Sequence, residues 1–194
     1  MAGMRKVFLI RHCESEANKA LLVETRGDSV LTDVGVEQAR RRARALADHD
    51  LVDVTMVASP LARASRTARE IADHHGWEVS HDHRLTEGDL GMLEGLRYDE
   101  LGQHVPAGAK WLDAETHGGE SEAVVGARML EALAEALEAS SGPLVLVSHG
   151  YAISALLQRL GHDVGRPLSN GDMYELEIDE AIAIHRAERH PLGG

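Results

Sequence analysis

Apolar and polar positions along the chain alternate between short apolar runs and longer amphipathic segments. Three short runs predict buried parallel strands at Lys6–Ile10, Thr55–Ala58 and Pro143–Val147. Helical spacing of apolar residues predicts helices at Asp33–His49, Pro60–His75, Glu120–Ala139 and Tyr151–Leu160. Strands that alternate with helices favour a mostly parallel central sheet with helices on both faces, which is a three-layer α/β/α sandwich.

Several helix ends are marked by capping residues. Thr32 offers a hydroxyl to the first turn of the first helix, and Ser59 followed by Pro60 is expected to begin the second. Gly161 is expected to end the last helix, because glycine adopts the left-handed conformation that commonly follows a helix. These residues set the limits of the predicted segments.

The chain after the last helix has the pattern of an antiparallel hairpin. Its strands are predicted at Met173–Ile178 and Ala181–Arg186, and residues 188–194 are expected to fray. The length of 194 residues suits one α/β domain, and no repeat or long linker divides it. We therefore expect a single domain over residues 1–194.

Composition narrows the class of protein. The single cysteine, Cys13, excludes an intramolecular disulfide framework, and no apolar run is long enough to span a membrane. With no signal-peptide pattern at the N-terminus, we expect a cytoplasmic protein that does not bind membranes. A net charge of −12 argues against nucleic-acid binding but not against a small anionic substrate held by a few arginines. The sequence leaves open whether the chain forms a homodimer.

Histidines and arginines follow three of the predicted strands. Arg11 and His12 come after the first strand, Arg63 comes shortly after the second, and His149 follows the strand at 143–147. Ligand sites of such sheets lie at the carboxyl ends of the strands. We therefore expect these four side chains to meet at one edge of the sheet.

These residue types suit phosphoryl transfer. An imidazole nitrogen can attack phosphorus and carry the phosphoryl group, provided that its other nitrogen is held by a hydrogen bond. Arginine forks neutralise the phosphoryl oxygens, and a carboxylic acid can protonate the leaving alkoxide. Candidates for that acid are Glu87 and Asp89.

Six motifs together resemble the histidine phosphatase superfamily, the phosphoglycerate mutase-like group, in its phosphatase branch. In chain order they are Arg11-His12-Cys13-Glu14-Ser15 with Asn18, Leu31-Thr32 to Gln38-Ala39, Ser59-Pro60-Leu61-Ala62-Arg63, Leu85-Thr86-Glu87 to Glu94-Gly95, Gly119-Glu120-Ser121, and Ser148-His149-Gly150. They span roughly residues 5 to 178. The resemblance implies a phosphatase that uses neither a metal nor another cofactor.

The resemblance also implies a role for each matching residue. These roles are His12 as nucleophile, Arg11, Arg63 and His149 as phosphoryl ligands, Glu87 as proton donor, and Asn18 and Gly150 as parts of the pocket. Mutases of the family usually have small substrate-contacting residues where this chain has Glu24 and Thr25. A carboxylate there should repel an acidic substrate and could hold a hydroxyl or an amine, unless it points to solvent.

A second departure from the family pattern is Cys13, which stands where the family has glycine. The favoured interpretation is a small tolerated side chain, and the alternative is a thiol whose oxidation would inactivate the site.

Hydrolysis of a small phosphorylated metabolite through a phosphohistidine is the favoured function. Mutase chemistry is less favoured because no paired arginines stand in the stretch 97–118 to bind a second phosphate. Two further alternatives are removal of phosphate from a phosphohistidine on a partner protein and phospho-ligand binding without turnover. The identity of the substrate is set by loops, in which Tyr98 and Trp111 are candidates for one pocket wall.

Overall fold

The computed structural model describes residues 3–104 and 117–192. Its strands are β1 Arg5–Arg11, β2 Thr55–Ala58, β3 Val79–His81, β4 Leu144–Ser148, β5 Met173–Ile178 and β6 Ile184–His190. Its α-helices are α1 Glu16–Lys19, α2 Asp33–Ala47, α3 Ala62–His75, α4 Leu101–His104, α5 Glu122–Glu138 and α6 Gly150–Arg159. Short 3₁₀ turns occupy His83–Leu85 and Gly91–Leu93. Within these ranges, no helix is both long and apolar enough to span a bilayer.

A six-stranded sheet in the order β3-β2-β4-β1-β5-β6 forms the middle layer of the described chain. The pairs from β3 to β1 are parallel, and β5 pairs antiparallel with both β1 and β6. Every strand of the described sheet except β5 therefore runs in the same direction. The prediction of a mostly parallel sheet is confirmed.

Alternate residues of the central strands enter two separate cores. On β1, Val7 and Leu9 pack on one face, while Phe8 and Ile10 pack on the other. The first face is covered by α5 and α6, and the second is covered by α2 and α3. A strand buried on both faces has to be apolar at every position, which explains the continuous apolar runs in the sequence. The helices on either side make the predicted three layers.

Helix starts agree with the sequence in one case and differ in another. Thr32 caps α2, with its side chain accepting a hydrogen bond from the N–H of Gly35 at 3.0 Å. The helix expected to begin at Pro60 instead begins at Ala62, and the residue before it makes no side-chain cap. The hydroxyl of Ser59, expected as a cap, is used inside the candidate site described below.

The C-terminal segment is more ordered than the sequence suggested. The second hairpin strand was expected at Ala181–Arg186 but runs from Ile184 to His190, so the prediction of a frayed tail from residue 188 is wrong for its first residues. Arg189 forms an ion pair with Asp172 at 2.5 Å, and both side chains are nearly buried. The buried Arg42 also donates to the carbonyls of Gly171 and His190, each at 2.8 Å. These contacts tie β6 to the loop before β5.

Gly35 provides a test of this packing. Replacing glycine by alanine within a helix ordinarily stabilises a protein, but a Cβ at Gly35 would lie 2.0 Å from the carbonyl oxygen of Glu14. We expect Gly35→Ala to lower the free energy of unfolding by about 1–3 kcal/mol because the backbone has to shift. Urea denaturation of Val34→Ala, an exposed neighbour in the same helix, is the control. A stabilised Gly35→Ala variant would contradict this packing.

Candidate active site

His12 lies directly after β1, where its N–H donates to the carbonyl of Ser148 at 2.9 Å. Its ring is only 3% exposed, and Nδ1 lies 2.8 Å from the carbonyl oxygen of Cys13. Since a carbonyl can only accept, Nδ1 carries the proton and Nε2 keeps the lone pair. Burial, and then the charges of Arg11 and Arg63, hold the pKa of His12 well below its ordinary value. The imidazole is therefore neutral at neutral pH.

His149 follows β4 and lies beside His12, with 5.1 Å between the ring centroids. Its Nε2 is 2.8 Å from the hydroxyl of Ser59, and among the described residues its buried Nδ1 has no hydrogen-bond partner. Burial lowers the pKa of His149 well below the usual range, and His12 and Arg63 lower it further. Two neutral histidines thus lie side by side at the end of the sheet.

Arg11 lies at the end of β1 and lines the cleft described below. Its Nη1 donates to the carbonyl of Leu168, and its buried Nε lacks a partner in the described chain. Gly150 packs beside the guanidinium, since a Cβ at this position would lie 3.4 Å from Cζ and Nε of Arg11. The structure therefore brings Arg11, His12, His149 and Gly150 together, as the sequence predicted.

Arg63 is 1% exposed and points from the first turn of α3 toward the loop at residues 24–27. Its Nη1 donates to the Glu24 carboxylate at 3.0 Å and to the carbonyl of Gly27 at 2.7 Å, and its Nη2 donates to the carbonyl of Glu24 at 3.2 Å. Burial lowers the pKa of Arg63, and the charge of Glu24 acts in the opposite direction. Arg63 thus lies close enough to His12 to act on its pKa, as the predicted site requires. Its Nη1 and Nη2 already donate to the loop at residues 24–27.

Glu24 is paired with this arginine and does not extend into solvent. Its side chain is 17% exposed and also accepts hydrogen bonds from the N–H and hydroxyl of Ser29, at 3.2 and 2.5 Å. Thr25, expected to bind substrate, lines the cleft but donates both its N–H and its hydroxyl to Glu94, at 2.8 and 2.6 Å. The hydroxyl of Thr25 therefore holds the loop.

Glu87 is the better placed of the two candidate acids. Its carboxylate accepts from the N–H of Gly88 at 3.0 Å and, at the start of α6, from the N–H groups of Tyr151 and Ala152 at 3.3 and 2.9 Å. It lines the cleft, whereas Asp89 accepts from the N–H of Gly91 and pairs with Arg26 at 3.3 Å.

Two residues that position this site were not singled out by the sequence. Arg128 donates to the carbonyls of Arg84, Thr86 and Glu87 at 2.7–3.0 Å and pairs with Glu120, so it fixes the loop that carries Glu87. Asn170 donates to the carbonyl of His12 at 3.2 Å and to Asn18 Oδ1 at 2.9 Å. The motif Gly119-Glu120-Ser121 pointed to Glu120, but the sequence did not show that Arg128 is its partner.

An open cleft of about 660 Å³ lies over these groups. Its walls include the predicted residues Arg11, Asn18, Glu24, Thr25, Glu87 and Gly150, whereas His12, Arg63 and His149 are buried and do not line it. Tyr98 also lines the cleft, as predicted, whereas Trp111 lies outside the described residues. Arg66 pairs with Glu70 on the surface and does not line the cleft.

Comparison with known proteins identifies the family of this chain. The sequence model of the histidine phosphatase superfamily (branch 1) matches residues 7–188. The chain belongs to this superfamily. It is 37% identical over 167 residues to the probable phosphoglycerate mutase GpmB of Yersinia pestis (strain Pestoides F), covering 81% of this chain and 75% of that protein.

Solved structures of the family have the same fold. A mycobacterial glucosyl-3-phosphoglycerate phosphatase in complex with VO3 superposes with a TM-score of 0.81 at 26% identity, covering 96% of this chain and 99% of that one. The phosphoglycerate mutase of Bacillus anthracis str. Sterne superposes with a TM-score of 0.82 at 18% identity, covering 98% and 95%. This superfamily member is therefore a phosphatase- or mutase-like enzyme with the phosphoglycerate mutase-like fold.

Cys13 gives a prediction that separates its two interpretations. The thiol is fully buried, and burial raises its pKa to about 12. Its φ angle is not among the positive ones of the described chain, so a side chain is tolerated there. We expect Ellman's reagent to leave the native protein unmodified and to label it fully in concentrated guanidinium, since the thiolate is the reactive form. Rapid labelling of the native protein, with loss of activity, would support the redox interpretation.

Proposed function

We propose that this enzyme hydrolyses phosphomonoesters of small metabolites without a metal ion, through a phosphohistidine at His12 Nε2. The observation that carries the proposal is the state of His12. It is neutral, its Nδ1 is held by the Cys13 carbonyl, and cationic Arg11 and Arg63 act on it. A phosphoryl group is the ligand that would satisfy a neutral nucleophile and two cations at once.

In the first step, Nε2 attacks phosphorus while the bond from phosphorus to the ester oxygen breaks. Glu87, in its acid form, gives its proton to the departing oxygen, and the guanidinium of Arg11 and the Nδ1 of His149 are available to the phosphoryl oxygens. In the second step, Glu87 takes a proton from water as the water attacks phosphorus. The phosphorus–nitrogen bond breaks, inorganic phosphate leaves, and His12 regains its lone pair.

Hydrolysis is favoured over transfer to a second substrate position by the charge of the cleft. Glu24 lines it, so a substrate with a second phosphate would meet this carboxylate as well as arginine. Residues 105–116, which include most of the stretch without paired arginines, lie outside the described residues. The relatives include proteins named as mutases and as phosphatases, and the latter supply the precedent for hydrolysis. Cytoplasmic location and the absence of nucleic-acid or membrane partners stay predictions.

The first test is phosphate release in the presence of EDTA. We expect the wild type to hydrolyse p-nitrophenyl phosphate and at least one sugar or alkyl phosphate, and His12→Ala to lose this activity because no nucleophile remains. A base-stable, acid-labile gain of one phosphoryl mass on wild type but not on His12→Ala would identify the intermediate. Loss of all wild-type activity in EDTA, or full activity of His12→Ala, would contradict the proposal.

The second test concerns the proton donor. Glu87→Gln is expected to lower kcat about 10²–10⁴-fold on alkyl phosphates, whose leaving oxygen needs a proton. The loss on p-nitrophenyl phosphate should be much smaller, because p-nitrophenolate leaves without one. Asp89→Asn is the matched control, since it removes the neighbouring carboxylate that does not line the cleft. Equal losses on both substrates would show that Glu87 acts by other means.

A further inference from the structure

Glu24 is a charged side chain on the wall of the cleft that the proposed reaction does not use. One carboxylate oxygen is 3.0 Å from Arg63 Nη1, and the same side chain accepts from the N–H and hydroxyl of Ser29. It also lines the cleft. Glu24 therefore presents a negative charge to the cleft beside an arginine expected to bind the phosphoryl group.

The backbone around Glu24 fixes this carboxylate in place. A Cβ on Gly27 would lie 2.6 Å from Glu24 Oε1, so the side chain packs directly against a residue that has no side chain. The same turn is held from the other side by Glu94, which accepts from the N–H groups of Thr25, Arg26 and Gly27 at 2.8–3.3 Å. The carboxylate is thus held by several donors on a supported loop.

Because the Glu24 carboxylate is fixed in place, the charges around the two arginines can be compared. Arg11 and Arg63 supply two positive charges, Glu24 supplies a carboxylate, and both histidines are neutral. The two arginine charges both act on His12 and would offset the charge of one phosphoryl group. A second anionic group on the substrate, next to the reacting phosphoryl, would meet the carboxylate of Glu24, and like charges in a partly desolvated site repel strongly.

We propose that Glu24 determines specificity by rejecting phosphomonoesters that carry a carboxylate or second phosphate beside the reacting phosphoryl group. The substrate class that fits is a phosphomonoester of an uncharged, hydroxyl-bearing alcohol. Val23, Leu90, Ser154 and Gln158 supply apolar and neutral polar surface for such an alcohol. The charged residues of the remaining wall are Glu122, Asp163 and Arg166, of which two are acidic. This inference rests on the proposed phosphatase function, but measurements of ligand binding alone can test it.

The test compares two ligands of similar size that differ in one group. Glycerol 3-phosphate has a hydroxymethyl group where 3-phosphoglycerate has a carboxylate. Their dissociation constants are measured by titration calorimetry on His12→Ala, which removes turnover, and on the same variant carrying Glu24→Gln or Glu122→Gln. Glutamine keeps the shape and an acceptor for Arg63, so the loop should stay folded. Glu122 is an exposed carboxylate that also lines the cleft and controls for a general loss of negative charge.

We expect His12→Ala to bind glycerol 3-phosphate about tenfold or more tightly than 3-phosphoglycerate, since one repulsive contact of this kind readily accounts for such a factor. Glu24→Gln should reduce that ratio about tenfold, and Glu122→Gln should leave it within about twofold. An unchanged ratio in Glu24→Gln, or no binding of either ligand, would overturn the inference. Loss of the phosphatase proposal would appear separately, as absence of wild-type turnover with the binding ratio intact.

Discussion

The hydrogen bond from the His12 N–H to the Ser148 carbonyl joins the ends of two neighbouring parallel strands, and the site depends on it. β1 and β4 are more than a hundred residues apart in the chain, yet their register continues through Arg11 opposite Ser148. The residue that follows each strand is a histidine. Adjacent strands in register therefore leave the two imidazoles in contact, and no loop has to fold back to bring them together.

Burying these groups creates an electrostatic requirement that the surrounding carboxylates meet. Two arginines next to two buried imidazoles would be costly if the imidazoles were charged, and the lowered pKa values of both histidines follow from that cost. Arg63 is almost fully buried and is balanced by Glu24. Burial, and after it the arginine charges, lower the pKa of the nucleophile. The same arginines, together with Glu24, act on an anion that enters the cleft.

The sequence predicted the central strands and the long helices because burial on both faces leaves continuous apolar runs and helical spacing leaves a stripe. It also predicted the residues at the carboxyl ends of those strands, since a parallel sheet gathers them at one edge. It placed the start of α3 too early, because Ser59 and Pro60 have the composition of a cap while the hydroxyl bonds to His149. A serine hydroxyl can cap a helix or bond to a histidine with the same chemistry. The packing of β2 against β4 brings Ser59 to His149, and the sequence does not show this packing.

For a related reason, the sequence did not predict the contacts between distant loops. The pairing of Glu24 with Arg63, the hold of Glu94 on residues 25–27 and the clamp of Arg128 on the loop with Glu87 join segments that have no fixed spacing. Glu24 was recognised as unusual from its position, but its partner was not. Charged residues carry no periodic pattern, so their partners follow only from how the loops come together.

The tie between the last strand and the loop before β5 has a consequence for the nucleophile. Arg189 holds Asp172, and two residues earlier in that loop Asn170 holds the carbonyl of His12. Residues 170–172 therefore contact both β6 and the backbone of His12. Although β6 does not line the cleft, its contacts belong to the support of the nucleophile.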